Sequence, residues 1–431
     1  MRAPLGISAV VVAALTTAAA ANGMFIQQGP KLTGKGEVST SVGGMFGSSV
    51  ALSAGGNTAL VGAPSDNAQR RIPFQGTGAA WVFVRSGSAW VHQGPKLIGT
   101  GEAGHADFGA SVALSADGST ALIGGWFDHG GRGAAWVFVR SGSTWIQQGP
   151  KLTPRDEVGT GTFGDNVALS ADGNTALISG SNDKNRGRIS GAAWVFTRSD
   201  GVWTQQGPKL IGRGERGDGN FGSAVALSAD GNTALIGGDL DQPRPTPGTP
   251  VGSGVGAAWV FTRNGSAWTQ QGSKLTARGE RGPAAFGSSV ALSGDGKTAL
   301  IAGDLDRLAP PPFPGGPPAG AGAVWTFTRS GGRWAQNGAK LTDPANRKDA
   351  EFGYQVAISS DGSTALIIGS APWIYTRAGT RWAKGPTKLT LAHGRSGFAT
   401  GGTLSADGNI ALIGDVDANG FKGAAWIFVR L

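Results

Sequence analysis

Hydrophobic and polar positions along the chain follow one phrase that recurs. It opens on Phe-Gly at Phe46, Phe108, Phe163, Phe221, Phe286 and Phe352, with a degenerate seventh copy at Phe398-Ala399. Each opening leads into a run of the SVALSADGNTALIGG kind, then a variable loop, a continuous apolar run of the GAAWVFTR kind, and SGSTWIQQGPKL. Such recurrence marks a structural unit that buries its apolar faces against its neighbours. Each unit predicts four strands. In the first unit, Val50 to Ser53 and Thr58 to Val61 flank a tight turn, Gly-Gly here and Asp-Gly elsewhere, a strong hairpin signal. The third strand is apolar at consecutive positions, as a strand covered on both faces should be.

The fourth strand begins at a second Trp and is broken by Pro30, Pro95, Pro150 and Pro208, which a sheet tolerates only at its edge. Lys31, Lys96, Lys151, Lys209, Lys274, Lys340 and Lys388 recur beside it. Lys and Pro are the usual guard against edge-to-edge pairing, so these lysines are expected on an exposed rim. The two Trp lie nine residues apart in six units, from Trp81 and Trp90 to Trp373 and Trp382. Their rings are expected to meet across the hairpin.

The two ends of the repeat region complete one another. GAAWIFVRL at the C-terminus is a third strand with no fourth, and MFIQQGPKL near the N-terminus is a fourth with no third. Phe25 takes the slot of Trp145. An open solenoid would need polar caps, whereas a closed ring needs this split unit. The expected fold is all-β: a seven-bladed β-propeller over residues 22–431, with four antiparallel strands per blade. Strand 24–33 completes the last blade.

These residues carry a resemblance. Phe46-Gly47 followed by Gly62-Ala63-Pro64 resembles the FG-GAP repeat, the blade of the integrin α-chain propeller and of many bacterial secreted proteins. The other units keep the FG and put GGW, SGS, GGD or AGD in place of GAP. The resemblance implies an extracellular propeller that binds proteins or glycans. Family members that hold Ca²⁺ carry a D-x-D-x-D-G-like turn between the first two strands. Here that turn is SADGN, SGDGK or SSDGS, with too few oxygens for a cation that takes 6–8 ligands, so no cofactor is expected. One DVDANG segment (Asp415, Asp417, Asn419) imitates the start of a calcium loop. It is the weak metal candidate of the chain and reads better as a turn.

Composition supports the all-β reading. Gly 76 and Pro 22 would interrupt helices, while Trp 14 and Phe 18 supply core. With Cys 0, disulfide scaffolds, thiolate metal sites and Cys nucleophiles are excluded. The net charge of +9 is spread over rim lysines and the arginines that end each third strand, without the basic stripe that nucleic acid needs. Residues 1–21 read as a signal peptide: Arg2, an apolar stretch, then small residues suited to cleavage. The expected location is secreted or cell-surface, in a bacterium, as a monomer with no membrane span after cleavage.

Alternating strand direction brings the strand 2–3 loops and the blade-to-blade linkers to one face, where variable sequence concentrates. An Asp recurs in those loops at Asp66, Asp128, Asp183, Asp241, Asp306 and Asp417, read as a loop cap. Glu37, Glu102, Glu157, Glu215 and Glu280 recur in the linkers, read as surface charge pairs with nearby Lys or Arg. Trp126 alone breaks the Trp pattern, with Asp128 and His129 beside it and His105 and Asp107 in the adjoining linker. An aromatic platform with polar neighbours suits a sugar, so these five form the candidate ligand site. No catalytic constellation is visible. The expected function is a non-catalytic binding or adhesion scaffold for an extracellular protein or glycan. A lyase or hydrolase, or a multivalent lectin on the same ring, is the alternative.

Overall fold

A computed structural model describes residues 23–38, 43–68, 76–185, 187–241, 254–309, 319–391 and 399–431. The expected signal peptide and Phe398 lie outside the described residues. Seven small antiparallel sheets carry the repeat; in six the strands run in chain order from the centre outward, and in the seventh the N-terminal strand lies outermost. Blade 2 is representative: Ser111–Leu114, Thr120–Gly125, Ala134–Ser141 and Thr144–Gln147. The first strands of the seven blades neighbour one another in a closed circle. Among the described residues almost no helix is present; two four-residue turns, Asp128–Gly131 and Ala418–Phe421, occupy strand 2–3 loops.

The split unit closes as the sequence predicts. The strand Phe25–Gln27 pairs antiparallel with Ala424–Arg430, Ile26 standing opposite Val429. Further along, the Leu32 N–H donates to the Ala425 carbonyl at 2.7 Å, and Ala425 returns the bond at 3.1 Å. On the face opposite the variable loops, the strand 1–2 turns close a second circle. The backbone N–H of residue 54 donates to the carbonyl of 116, 116 to 171, 171 to 229, 229 to 294, 294 to 360, 360 to 406, and 406 back to 54. Each of these bonds is 2.7–2.9 Å long.

The core lies between blades rather than inside any one of them. Alternate residues of a strand point to opposite faces, so Leu60, Ala80 and Val82 pack on Phe108, Ile123 and Trp136 of the next blade. Ala59, Val61 and Trp81 pack with Leu412 and Ile427 of the preceding one. Second and third strands are therefore covered twice, which is why their sequence is continuously apolar. The FG dipeptide builds this junction. Phe108 is fully buried and meets Trp136 edge-on at 5.3 Å, a geometry worth about 0.5–1.5 kcal/mol beyond area burial. Gly109, at φ +94°, lies so near the preceding blade that a Cβ would sit 2.5 Å from the Ala79 carbonyl. Blade 7 has Ala399 at that place and shows no positive φ there; instead the Thr400 N–H reaches the Gly414 carbonyl.

The expected Trp pairs do not form. Strand register sets Trp90 opposite Arg85, four residues or about 13 Å along the strand from Trp81. In blades 1 to 5 the third-strand Trp is a core residue, and its indole N–H donates to the linker, as Trp136 does to Thr100 at 3.0 Å. The fourth-strand Trp bonds across blades: Trp145 donates to Gln93 at 2.9 Å, Trp203 to Gln148 at 3.0 Å, and Trp90 to Gln28 at 3.2 Å across the closure.

Candidate functional site

The recurring loop Asp is a buried structural hub. Asp66, Asp128, Asp183, Asp241 and Asp306 are 0–2% exposed. In each, Oδ1 accepts the linker backbone N–H at 2.7 Å (Val38, Ala103, Val158, Arg216 and Arg281 in turn). Oδ2 is bound by the ammonium of the rim lysine, Lys96, Lys151, Lys209, Lys274 or Lys340. These lysines are only 15–21% exposed, so they reach inward to a buried partner instead of guarding an edge. In blade 7 the equivalent position is Ala418, not Asp417: Gly423 donates to the Ala418 carbonyl as Gly133 does to Asp128. Lys31 there donates to Asn419 Oδ1.

The linker glutamates are also built in. Glu37, Glu157 and Glu215 are half-buried and accept the N–H of Gly44, Gly161 and Gly219 at 2.6–3.0 Å. They hold the linker turn rather than a surface pair. Burial raises Glu215 to about 7.

These contacts tie loop to linker in the second blade and bring the five candidate ligand residues into one neighbourhood. Asp128 is consumed there by Ala103 and Lys151, the ammonium lying at 2.5 Å. Asp107 is 3% exposed and accepts the Gly76 N–H of the first blade at 3.2 Å. Burial drives it up to about 7. Its φ of +53° belongs to a turn that every FG copy shares, from Met45 to Glu351. Trp126 is half-buried against Phe127, edge-on at 5.2 Å, and His129 is exposed. His105 is half-buried, with Nδ1 enclosed and unpartnered. Trp126, His129 and His105 are thus the members free of backbone duty. In the DVDANG segment, Asp415 Oδ1 accepts the Asp417 N–H at 2.9 Å, and Asn419 donates to the Gly423 carbonyl at 2.9 Å. Among the described residues no group of three His or carboxylate side chains is placed to hold a metal.

A second feature on this face was not expected from the sequence. All seven blades contribute to a polar cavity of about 380 Å³ on the ring axis, lined where the first strands begin: Ser48 and Ser49, Ala110 and Ser111, Asn166, Ala224, Ser288, Gln355 and Thr400 among them. Asp304, the residue after the second strand of blade 5, lines it too. Asp239 holds the same position in blade 4 and accepts from Asn220 Nδ2 at 2.8 Å. Burial, more than the neighbouring Asp304, raises Asp239 to about 6. Burial also raises Asp304, Glu351 and Asp165. The readable signal was the GAP slot itself, where GGD and AGD put acids in adjacent blades and other blades put Pro64, Trp126 or Ser181.

Residues 145–196 match the family model of the FG-GAP repeat. That segment runs from the fourth strand of blade 2 into the third strand of blade 3, one full period including Phe163-Gly164. Among solved structures, a chain of Kuenenia stuttgartiensis hydrazine synthase is similar, with a TM-score of 0.51 over 91% of this chain and 97% of that one, at 14% identity. At that identity the likeness is one of fold. No curated protein matches in sequence. The chain carries an FG-GAP repeat within a seven-bladed β-propeller.

Proposed function

We propose that this protein is an exported, non-catalytic scaffold that recognises an extracellular protein or glycan through the face bearing its strand 2–3 loops. The observation that carries this reading is the contrast between the two faces. One is edged by a ring of near-identical turns hydrogen-bonded end to end. The other gathers loops and linkers of differing length and chemistry on a rigid ring around a polar cavity. Variable segments held by a rigid scaffold are where recognition concentrates.

Export agrees with the apolar N-terminal segment and the absence of Cys. A non-catalytic role agrees with the candidate residues themselves, since Asp128 and Asp107 are engaged by backbone N–H groups and His105 Nδ1 is enclosed. Trp126 and His129 remain available as an aromatic platform with a polar neighbour.

A glycan array and an extracellular-protein array, each followed by a turnover assay on the hits, test the proposal. Saturable binding without product, weakened by Trp126→Ala, is the expected result. Product formation abolished by His129→Ala would replace it with the enzyme, and a stoichiometry near seven ligands per chain with the multivalent lectin.

A further inference from the structure

The central cavity presents hydrogen-bond acceptors that the protein leaves unanswered. Asp304 Oδ1, Gln355 Oε1, Ser48 Oγ and Thr400 Oγ1 are withdrawn from solvent, belong to residues that line the cavity and have no hydrogen-bond partner among the described residues. Buried polar groups without partners are uncommon and costly, so their convergence on one space points to something that fills it. The charge there is one-sided. Asp239 and Glu351 lie close enough to Asp304 to act on its charge or be acted on by it, and Tyr354 feels both Asp304 and Glu351. Among the described residues no Lys, Arg or His lines the cavity, although the chain as a whole carries +9. The recurring loop carboxylates Asp66, Asp128, Asp183, Asp241 and Asp306 each have their own lysine. Among the described residues no Lys or Arg pairs with Asp304 or with Asp239 beside it.

The occupant must therefore donate hydrogen bonds, carry positive charge and need no cage of carboxylates. A hard divalent cation needs such a cage, and the described residues do not provide one. A primary ammonium group has three donors and one charge, and a cavity of about 380 Å³ accepts it together with the carbon skeleton that bears it. We infer that the axial cavity is a binding site for a primary ammonium group, seated on Asp304 with Gln355 as a second acceptor. It deepens the reading of the loop face as the recognition surface, and narrows the partner to an amino sugar or a protein lysine.

Calorimetric titration of the full chain distinguishes the sources. Glucosamine and Nα-acetyl-lysine amide are the probes, each paired with its N-acetylated form on the reacting amine, and calcium chloride is the third arm. The expected result is one-to-one binding of at least one amine. Acetylation and Asp304→Asn should each weaken it about tenfold or more, which is about 1.4 kcal/mol. The variant should melt no lower than the parent, because it removes a buried carboxyl with which no described cation pairs. Whichever amine binds identifies the glycan or the protein source. Equal binding of acetylated probes, unchanged binding to Asp304→Asn, Asp304-dependent binding of calcium in place of the amines, or no amine binding up to about 10 mM overturns the inference. Array binding that depends on Trp126 and ignores Asp304 would leave the loop-face reading standing while this site falls.

Discussion

Recurrence of a charged residue means different things in different slots, and burial separates them. The Asp of the strand 2–3 loop recurs because each copy joins three segments at once: the loop, the linker N–H and the inward-reaching lysine. Asp306→Ala leaves Lys340 and the Arg281 N–H unpaired, one of them largely buried, and is expected to cost about 2 kcal/mol in chemical denaturation. Asp306→Asn keeps an acceptor for Arg281 and should cost about half as much. Equal losses would show that the linker bond contributes nothing. Asp107 gives a pH test. Burial holds its carboxyl up to about 7 in the folded chain, against 3.8 as the ordinary value. Its contribution is full below 3.8, declines as the unfolded chain ionises first, and is lost once pH passes about 7. Melting temperature measured from pH 4 to 8 should therefore fall less in Asp107→Asn than in the parent, with the curves meeting near pH 4. Parallel curves would contradict the raised value. None of this was legible in one sequence. Period fixed which residues correspond, but not whether Lys96 turns outward or inward, since a flexible four-carbon stem allows both.

Strands and turns were far more legible, for physical reasons that differ by element. Asp-Gly turns and continuous apolar thirds marked hairpins and double coverage, and both appear where the pattern put them. The Trp pairing failed because nine residues of separation were counted without the register: Trp145 lies opposite Arg140, out of reach of Trp136. What the fourth-strand Trp does instead is tie blades together, and Gln148 is the busiest of these ties, accepting from Trp203 at 3.0 Å and Arg198 at 3.1 Å. Gln148→Leu should lower the melting temperature by a few degrees, as loss of about 1–2 kcal/mol does in a large domain. An unchanged melt would mean that apolar packing alone holds the blades. The short sixth unit keeps its place by another route. Its fourth-strand pairing is taken up in part by Thr387–Lys388, which sets Lys388 opposite Trp373. Phe352 there meets Tyr375 at 6.1 Å, while Trp373 is left half-buried.

At the scale of the molecule, the repeat count and the split unit were the strongest things in the sequence, and the axial cavity the weakest. A closed ring follows from two complementary termini, which any reader of the repeat can see. A site on the axis arises only when seven first strands converge, and residues as far apart as Ser48 and Thr400 then share one wall. The closure is also the claim on which the cavity, the ring of hydrogen-bonded turns and the proposed recognition face all depend. Ile26 and Val429 stand directly opposite in the closing pair, at a spacing that suits a disulfide, and the chain has no other Cys to compete. The double variant Ile26→Cys, Val429→Cys, oxidised under native conditions and analysed by thiol titration and mass, tests it directly. The ring predicts loss of both thiols within one chain and a higher melting temperature than the reduced form. Two free thiols, or cross-links only between chains, would show that the first and last strands do not meet.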